Sequence, residues 1–169
     1  MTTTEIGFRI GPRLNAAGRM HEARTAFDLL VCENILEARD LAQKLHEFNR
    51  ARQEVSQQMY AEATNLVVSQ DHAVLMAAHE QWSVGIVGLV AGKLLSETGK
   101  PVVLIGRKQD GSWSGSGRSV FGFDITSALR CCEPFLEKFG GHPQACGFTL
   151  KAETNPEAFF VSLRAACTM

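Results

Sequence analysis

Hydrophobic residues between positions 34 and 69 recur mostly at spacings of three and four, which is the period of a helix buried along one face. The stretch contains neither glycine nor proline, and Asn34 followed by Glu37 fits an N-cap and its reciprocal partner. At about 1.5 Å per residue this helix would span roughly 50 Å, more than a small domain requires. We predict a helix that connects two lobes. A dimerising coiled coil is the alternative, although Arg52 interrupts its apolar stripe.

After residue 70 the pattern changes to short apolar runs that alternate with helical segments. Strands are predicted over 73–78, 101–105, 112–114 and 147–150. Helices are predicted over 83–97, 125–139 and 156–167, and Pro134 should break or kink the second of these. This order predicts an α/β fold, in which a small mixed sheet with parallel pairs and an antiparallel edge is covered by helices and preceded by the long helix.

The first 24 residues follow neither period. Arg9, Arg13 and Arg19 are interspersed with glycines and a proline, so the segment is too rich in glycine for a helix and too rich in arginine for a buried strand. We predict a loop, either solvated or facing a polyanion, because guanidinium groups suit phosphate. The expected organisation is therefore a leading segment over 1–24, a connecting helix over 25–70 and a domain over 71–169.

Composition narrows the classes of protein. The chain has 169 residues, of which 45% are hydrophobic and 21% charged, and this fits one or two small domains with an apolar core. The net charge of −1 means that binding to a polyanion must depend on local arginines and glycines. The five cysteines form no CxxC pair, and no run approaches the roughly 20 apolar residues of a membrane span. We expect reduced thiols, no membrane association and a cytoplasmic location.

Two glycine-rich segments, 115–119 and 139–147, are the main candidates for chemistry. Glycines allow positive φ and close approach of the backbone to a ligand, while Arg118 and His142 supply donors that match phosphoryl oxygens. The five histidines stand singly, without the grouped carboxylates that a two-metal centre needs. We predict a phosphate site and no metal ligands in this chain.

Four segments in this order resemble RecJ-like exonucleases of the DHH phosphoesterase superfamily. They are Arg-Leu-Asn-Ala-Ala-Gly-Arg over 13–19, Val-Gly-Ile-Val-Gly-Leu-Val-Ala over 84–91, Gly-Ser-Gly-Arg-Ser over 115–119 and Phe-Gly-Gly-His over 139–142. Residues 71–169 resemble the DHH-associated domain, the substrate-binding lobe of that superfamily. The resemblance implies a 5′-to-3′ exonuclease specific for single-stranded DNA that uses Mn or Mg. Its metal ligands would lie in a DHH lobe preceding residue 1, which makes this chain a partner of that lobe.

The resemblance also implies roles for individual residues. His142 would act on the scissile phosphate as the catalytic residue. Substrate-binding roles fall on Arg13, Arg19, Ser116, Gly117, Arg118, Ser119, Gly140 and Gly141. Arg118 would bind phosphate, Gly140 and Gly141 would offer backbone N–H groups, and Arg13 and Arg19 would contact the DNA backbone from the side of the catalytic lobe.

Three functional hypotheses follow. In the first, the chain positions the phosphates of single-stranded DNA for metal-dependent hydrolysis by the DHH lobe and is inactive alone. In the second, the same lobe belongs to a DHH-family phosphodiesterase acting on short oligonucleotides or cyclic dinucleotides. In the third, the isolated chain binds nothing measurable, because half a cleft seldom keeps the affinity of the whole.

Overall fold

The computed structural model describes residues 2–20 and 22–167. The chain divides into two compact units, Met1–Gln57 and Gln58–Met169, and the division falls inside one long helix. Within the described residues, no helix is both long enough and apolar enough to cross a membrane.

The first unit is helical from near its start, so the predicted loop over 1–24 is wrong. Its elements are α1 (Thr3–Glu5), a π-helical turn (Ile6–Ile10), α2 (Gly11–Met20), α3 (Arg24–Val31) and the first part of α4 (Ile35–Val67). Ala16 and Ala17 are fully buried, and Ala17 belongs to a small core with Ala26 and Leu45. Burial of small residues between helices outweighs the roughly 1 kcal/mol that a glycine costs in a helix.

The long helix predicted over 34–69 is confirmed as α4. Asn34 caps it, because its side-chain Oδ1 accepts hydrogen bonds from the backbone N–H groups of Leu36 at 2.9 Å and Glu37 at 3.3 Å. The stretch predicted as one connecting helix over 25–70 differs in its first part, where α3 ends before Cys32 takes an extended conformation with ψ 125°. The cap at Asn34 then starts a separate helix.

The described residues of the second unit form the sheet, three α-helices and a 3-10 turn beside the end of α4. The strands are β1 (Leu75–His79), β2 (Val102–Arg107), β3 (Trp113–Arg118), β4 (Leu136–His142) and β5 (Ala145–Leu150). The helices are α5 (Val87–Thr98), α6 (Ile125–Cys131), a 3-10 turn (Glu133–Phe135) and α7 (Pro156–Cys167). The sheet has the order β1-β2-β3-β5-β4, in which β1 and β2 are parallel and the other pairs are antiparallel.

Helices cover the two faces of the sheet unequally. Strand residues on one face, among them Val103, Ile105 and Phe148, form a continuous core with α6 and α7 through side chains such as Leu129 and Phe159. On the opposite face α5 packs over β2 and β3. The predicted α/β fold with a small mixed sheet and helical cover is therefore confirmed.

The helix predicted over 125–139 is wrong in its second half. After α6 and the 3-10 turn that contains Pro134, the chain enters β4 at Leu136. Leu136 is 5% exposed and the half-buried Phe139 packs against the same core, so both apolar residues pack in the sheet instead of in a helix. Tertiary pairing with β5 decides the conformation of this short, ambiguous run.

Candidate nucleic-acid interface

Strands β3, β5 and β4 bring several of the predicted phosphate-binding residues to one face of the sheet. Arg118 on β3 and His142 on β4 are both paired with Ala145 on β5, so the three residues form one row across the strands. Ser116 and Gly140 flank Gly147 in the next row in the same way. Because neighbouring strands lie about 4.8 Å apart, the backbones of Arg118 and His142 are separated by roughly 10 Å.

A third row continues this surface along the strands. It consists of Ser114, Thr149 and Lys138, and Lys108 Nζ lies 3.5 Å from Thr149 Oγ1. We call the surface made by the three rows and Lys108 the open sheet face. Its members are Lys108, Ser114, Ser116, Arg118, Lys138, Gly140, His142, Ala145, Gly147 and Thr149.

On β4 and β5 the open sheet face is accessible to solvent except at Thr149, which is 4% exposed. Lys138, Gly140, His142 and Gly147 are exposed, and a Cβ atom added to Gly140 would have no atom within 4 Å. A shallow depression of about 230 Å³ lies on β4 and β5 beside Gly147, with Lys138 and Thr149 in its lining. The middle of the face, at Gly140 and Gly147, therefore carries no side chains, and Arg118 and Lys138 supply positive charge at its two ends.

Arg118 is held against the sheet by short hydrogen bonds. Its Nη1 donates to Ser116 Oγ at 2.7 Å and to the carbonyl of Gly117 at 2.7 Å. Ser116 Oγ in turn donates to the carbonyl of Cys146 at 3.0 Å. The half-buried guanidinium is thus oriented before any ligand binds, which reduces the entropy lost on binding.

The first turn of α5 lies directly beside this guanidinium. A Cβ atom added to Gly88 would lie 2.8 Å from Arg118 Nη2 and 3.0 Å from Ser116 Oγ. Gly88 is the second residue of α5, where the helix carries its partial positive charge. The arginine and the first turn of α5 both carry positive charge, so both favour an anion on this side of the sheet.

His142 ends β4 at the same end of the sheet. Its side chain is exposed, and its carbonyl accepts a hydrogen bond from Thr126 Oγ1 at 2.8 Å. The preceding Gly141 has φ 152°, and a Cβ atom there would lie 2.3 Å from the carbonyl oxygen of Ala145. Gly141 is therefore required for the close approach of β4 to β5 that places His142 in its row.

Three of the predicted binding residues, Gly117, Ser119 and Gly141, lie off the open sheet face. Gly117 lies on the core side, where an added Cβ atom would lie 2.6 Å from Cys146 Sγ and 2.6 Å from Ile125 Cδ1. Ser119 is 4% exposed, and its Oγ donates to the carbonyl of Phe123 at 2.8 Å. Residues 115–118 continue β3 beyond the strand predicted over 112–114, and Gly115 and Gly117 make room for core side chains there instead of taking positive φ.

Burial near Gly117 also sets the chemistry of Cys146. Desolvation raises the pKa of the Cys146 thiol to about 11, against smaller opposing effects of a backbone hydrogen bond with Gly117 and of the Arg118 charge. The thiol is therefore neutral near pH 7 and serves as a small core residue.

Lys108 and Lys138 belong to the same face but were not among the predicted site residues. Lys138, Gly140 and His142 alternate along β4, and this period of two is the signal that would have grouped them. This alternation was missed because residues 125–139 were predicted to form a helix. Asp110 faces both lysines, and its lowered pKa results mainly from hydrogen bonds donated by Ser112, with smaller effects of the two lysine charges.

Trp82, three residues after the end of β1, is a packing residue. It is 1% exposed, and its Nε1 donates to Glu62 Oε2 at 2.8 Å. This hydrogen bond is the main cause of the lowered pKa of Glu62, and a second one from Gln58 adds to it. Trp113 likewise packs against the core and lies under the Arg107 guanidinium, 5.4 Å from its ring centroid.

Arg13 and Arg19 belong to the first unit and lie on α2. Arg13 donates through Nη1 to the carbonyl of Arg9, one turn earlier, and Arg19 is exposed. Burial lowers the pKa of Arg52 on α4, and the positive charge of Arg19 lowers it further. Among the described residues, Arg52 Nε is buried without a hydrogen-bond acceptor. The two neighbouring cations therefore form a second locally positive region, which the sequence predicted only in part.

A divalent metal does not fit the described residues. Across 2–20 and 22–167, no three His, Cys, Asp or Glu side chains lie close enough together to hold an ion. We therefore assign no step at a metal to them.

Comparison with known protein families identifies the class of protein to which this fold belongs. The chain belongs to the DHHA1 domain family, which matches residues 70–168. This match and those that follow confirm the resemblance seen in the sequence.

The relatives are single-stranded-DNA-specific exonucleases named RecJ. The chain is 39% identical over 155 residues to the RecJ of Bacillus subtilis (strain 168), with 90% of this chain and 20% of the relative covered. The crystal structure of RecJ from Thermus thermophilus with Mn²⁺ superposes with a TM-score of 0.88 at 32% identity, covering 98% of this chain and 24% of that one. Its complex with Mg²⁺ gives a TM-score of 0.86 at 32% identity, covering 98% and 26%. The chain thus spans about a fifth to a quarter of the length of these relatives.

Proposed function

We propose that this chain is the DNA-holding part of a RecJ-like exonuclease. The open sheet face binds the phosphates of single-stranded DNA, while a DHH lobe carrying Mn or Mg hydrolyses the phosphodiester bond. The observation that carries the proposal is the row of Arg118, Ala145 and His142, in which two side chains that can donate hydrogen bonds to phosphate flank a small residue. A DNA backbone laid over Ala145 reaches both.

The charges on the face suit a chain of phosphates better than a single one. Lys138 lies four residues before His142 on β4, which corresponds to about 13 Å along a strand. Positive groups at both ends of the open sheet face therefore match a ligand that carries several phosphates in a row. Gly140 and Gly147 between them leave room for the backbone of the strand to approach the sheet.

Within this proposal, Arg118 binds a phosphate and His142 contacts the phosphate undergoing hydrolysis. Arg13 and Arg19 in the first unit contact the DNA backbone. A phosphate beside Arg19 would also offset the repulsion between Arg19 and Arg52. Gly117, Gly141 and Ser119 support the site through packing and turn geometry instead of touching the DNA.

The test is a fluorescence anisotropy titration of a labelled single-stranded oligonucleotide at low salt. We expect Arg118→Ala to weaken binding roughly tenfold or more, since hydrogen bonds to charged groups contribute about 1.5–3 kcal/mol. Arg130→Ala is the matched control, because Arg130 is an exposed arginine on α6, which covers the opposite face of the sheet. Equal affinities for the parent and Arg118→Ala would contradict the proposal, as would an absence of binding by the parent.

Competition with a dinucleotide separates the two phosphate-ligand hypotheses. A long single strand should displace the labelled probe at much lower concentration than a dinucleotide, because it occupies the rows at both ends of the face. A dinucleotide that competes equally well would favour the phosphodiesterase hypothesis.

A further inference from the structure

Phe121 is the most exposed large apolar side chain of the described residues, at 96%. It lies three residues after Arg118, in the loop that joins β3 to α6. Exposed aromatic side chains beside a phosphate-binding surface are the platforms on which single-stranded nucleic acids stack their bases. The function described so far gives this residue no role.

The loop that carries Phe121 is ordered by its own hydrogen bonds. The N–H of Phe123 donates to the carbonyl of Val120 at 3.3 Å, and Gly122 between them has φ 96°, which closes a tight turn with Phe121 at its tip. Ser119 Oγ holds the carbonyl of Phe123, whose ring packs against the core. The exposure of Phe121 is therefore a property of a fixed turn.

The same loop is attached next to His142. The N–H of Ser119 donates to the carbonyl of Gln144 at 2.9 Å, and the N–H of Ile125 donates to the carbonyl of Pro143 at 3.1 Å. Both ends of the loop are thus bound to the turn that follows β4. Three residues span at most about 11 Å, so Phe121 lies within reach of a nucleotide whose phosphate is on Arg118.

We infer that Phe121 stacks on a base of the single strand whose phosphate Arg118 and His142 hold, an inference that rests on the proposed function. The phosphate contacts fix the position of the strand, and the ring adds affinity that depends on the presence of a base. Because every base has an aromatic face, the contact is tolerant of sequence.

Two probes of equal length test this inference in the full 169-residue chain: an oligothymidine and an abasic strand with the same sugar-phosphate backbone. Phe121→Ala should weaken binding to oligothymidine about tenfold and leave the affinity for the abasic strand unchanged. Phe121→Tyr should keep the parent affinity for both strands. Phe121→Leu, which retains an apolar side chain without a π-face, should bind oligothymidine almost as weakly as Phe121→Ala does. Arg118→Ala should weaken binding to both strands.

The outcomes separate the two proposals. Parent affinity of Phe121→Ala for oligothymidine, while Arg118→Ala is impaired on both strands, overturns the stacking role alone. An equal loss on both strands also overturns it, because a base would then not be the partner. Failure of the parent chain to bind either strand at low salt overturns the proposed function and this inference with it. Thermal melting of each variant confirms that it is folded, which the exposure of Phe121 leads us to expect.

Discussion

Gly88 on α5 and Arg118 on β3 meet so closely that a Cβ atom added to the glycine would lie 2.8 Å from Arg118 Nη2. The absence of a side chain at position 88 therefore sets where the guanidinium lies. The contact joins two of the segments that carry the family resemblance, although they are about 30 residues apart in the chain. It also leads to a prediction in which stability and binding change independently.

Gly88→Ala should reduce affinity for single-stranded DNA by about five- to tenfold, because the new methyl group displaces the guanidinium from its place on Ser116. Stability should change little, since the displaced atoms are the flexible end of a side chain and the preference of alanine over glycine in a helix offsets the lost hydrogen bonds of the guanidinium. Gly92→Ala is the control: an added Cβ atom there has nothing within 4 Å, and we expect a gain of about 0.5–1 kcal/mol with unchanged binding. Anisotropy and urea denaturation measure both quantities, and unchanged affinity of Gly88→Ala would contradict the prediction.

Gly115→Ala and Gly140→Ala should differ in stability although both glycines lie in paired strands. A Cβ atom on Gly115 would lie 2.3 Å from Phe148 Cζ and 2.9 Å from the carbonyl oxygen of Leu104, so the core must shift. We expect a loss of about 1–3 kcal/mol in the free energy of unfolding. Gly140 faces open space, and its substitution should leave stability within about 0.5 kcal/mol of the parent. Comparable urea midpoints for the two variants would show that the sheet face is assigned wrongly.

Lys138→Ala should lower the salt dependence of DNA binding. If Lys138 neutralises one phosphate, the slope of log affinity against log salt should decrease by about 1 in magnitude. Lys138→Arg keeps the charge at the same exposed position and should retain the parent slope. Titrations at several salt concentrations measure this, and a parent slope for Lys138→Ala would exclude the third row from the interface.

The hydrogen bond from Trp82 to Glu62 should make stability depend on pH. The pKa of Glu62 is lowered in the folded state, so the unfolded chain binds a proton more readily in acid and the folded state loses stability as pH falls. The contribution is complete above the ordinary carboxyl pKa of 4.5 and disappears as pH falls through the lowered value. Glu62→Gln removes this titration, so the difference in urea midpoint between parent and variant should shrink from about pH 6 to about pH 3. A difference that stays constant over this range would contradict the prediction.

Local patterns in the sequence were sufficient for much of the fold. The helix from Ile35 was predictable because its apolar period is long and Asn34 caps its start. The helix at Pro156–Cys167 was predicted with the bounds that the structure has. The run from Leu136 to Phe139 was not predictable in this way, because so short a run fits either conformation until β5 supplies a partner.

The same distinction applies to the candidate site. Sequence alone proposed Arg118, Gly140 and His142 as site residues through their resemblance to a known family, since the segments that carry them occur in the order typical of that family. It could not separate Ser116 from Gly117, because only strand pairing decides which residues face the solvent and which face Ile125 and Cys146.

The sequence by itself determined the family, the long helix and the chemical types available for binding phosphate, because these depend on local order and composition. The tertiary structure decided which of those residues lie on one surface. Pairing of β3, β5 and β4 puts Arg118 and His142 in one row and places Lys138 on the same face of the sheet. It also places Gly117 on the opposite face, towards the core. These are contacts between residues distant in the chain, and the alternation of side chains across a sheet becomes known only when the register is known.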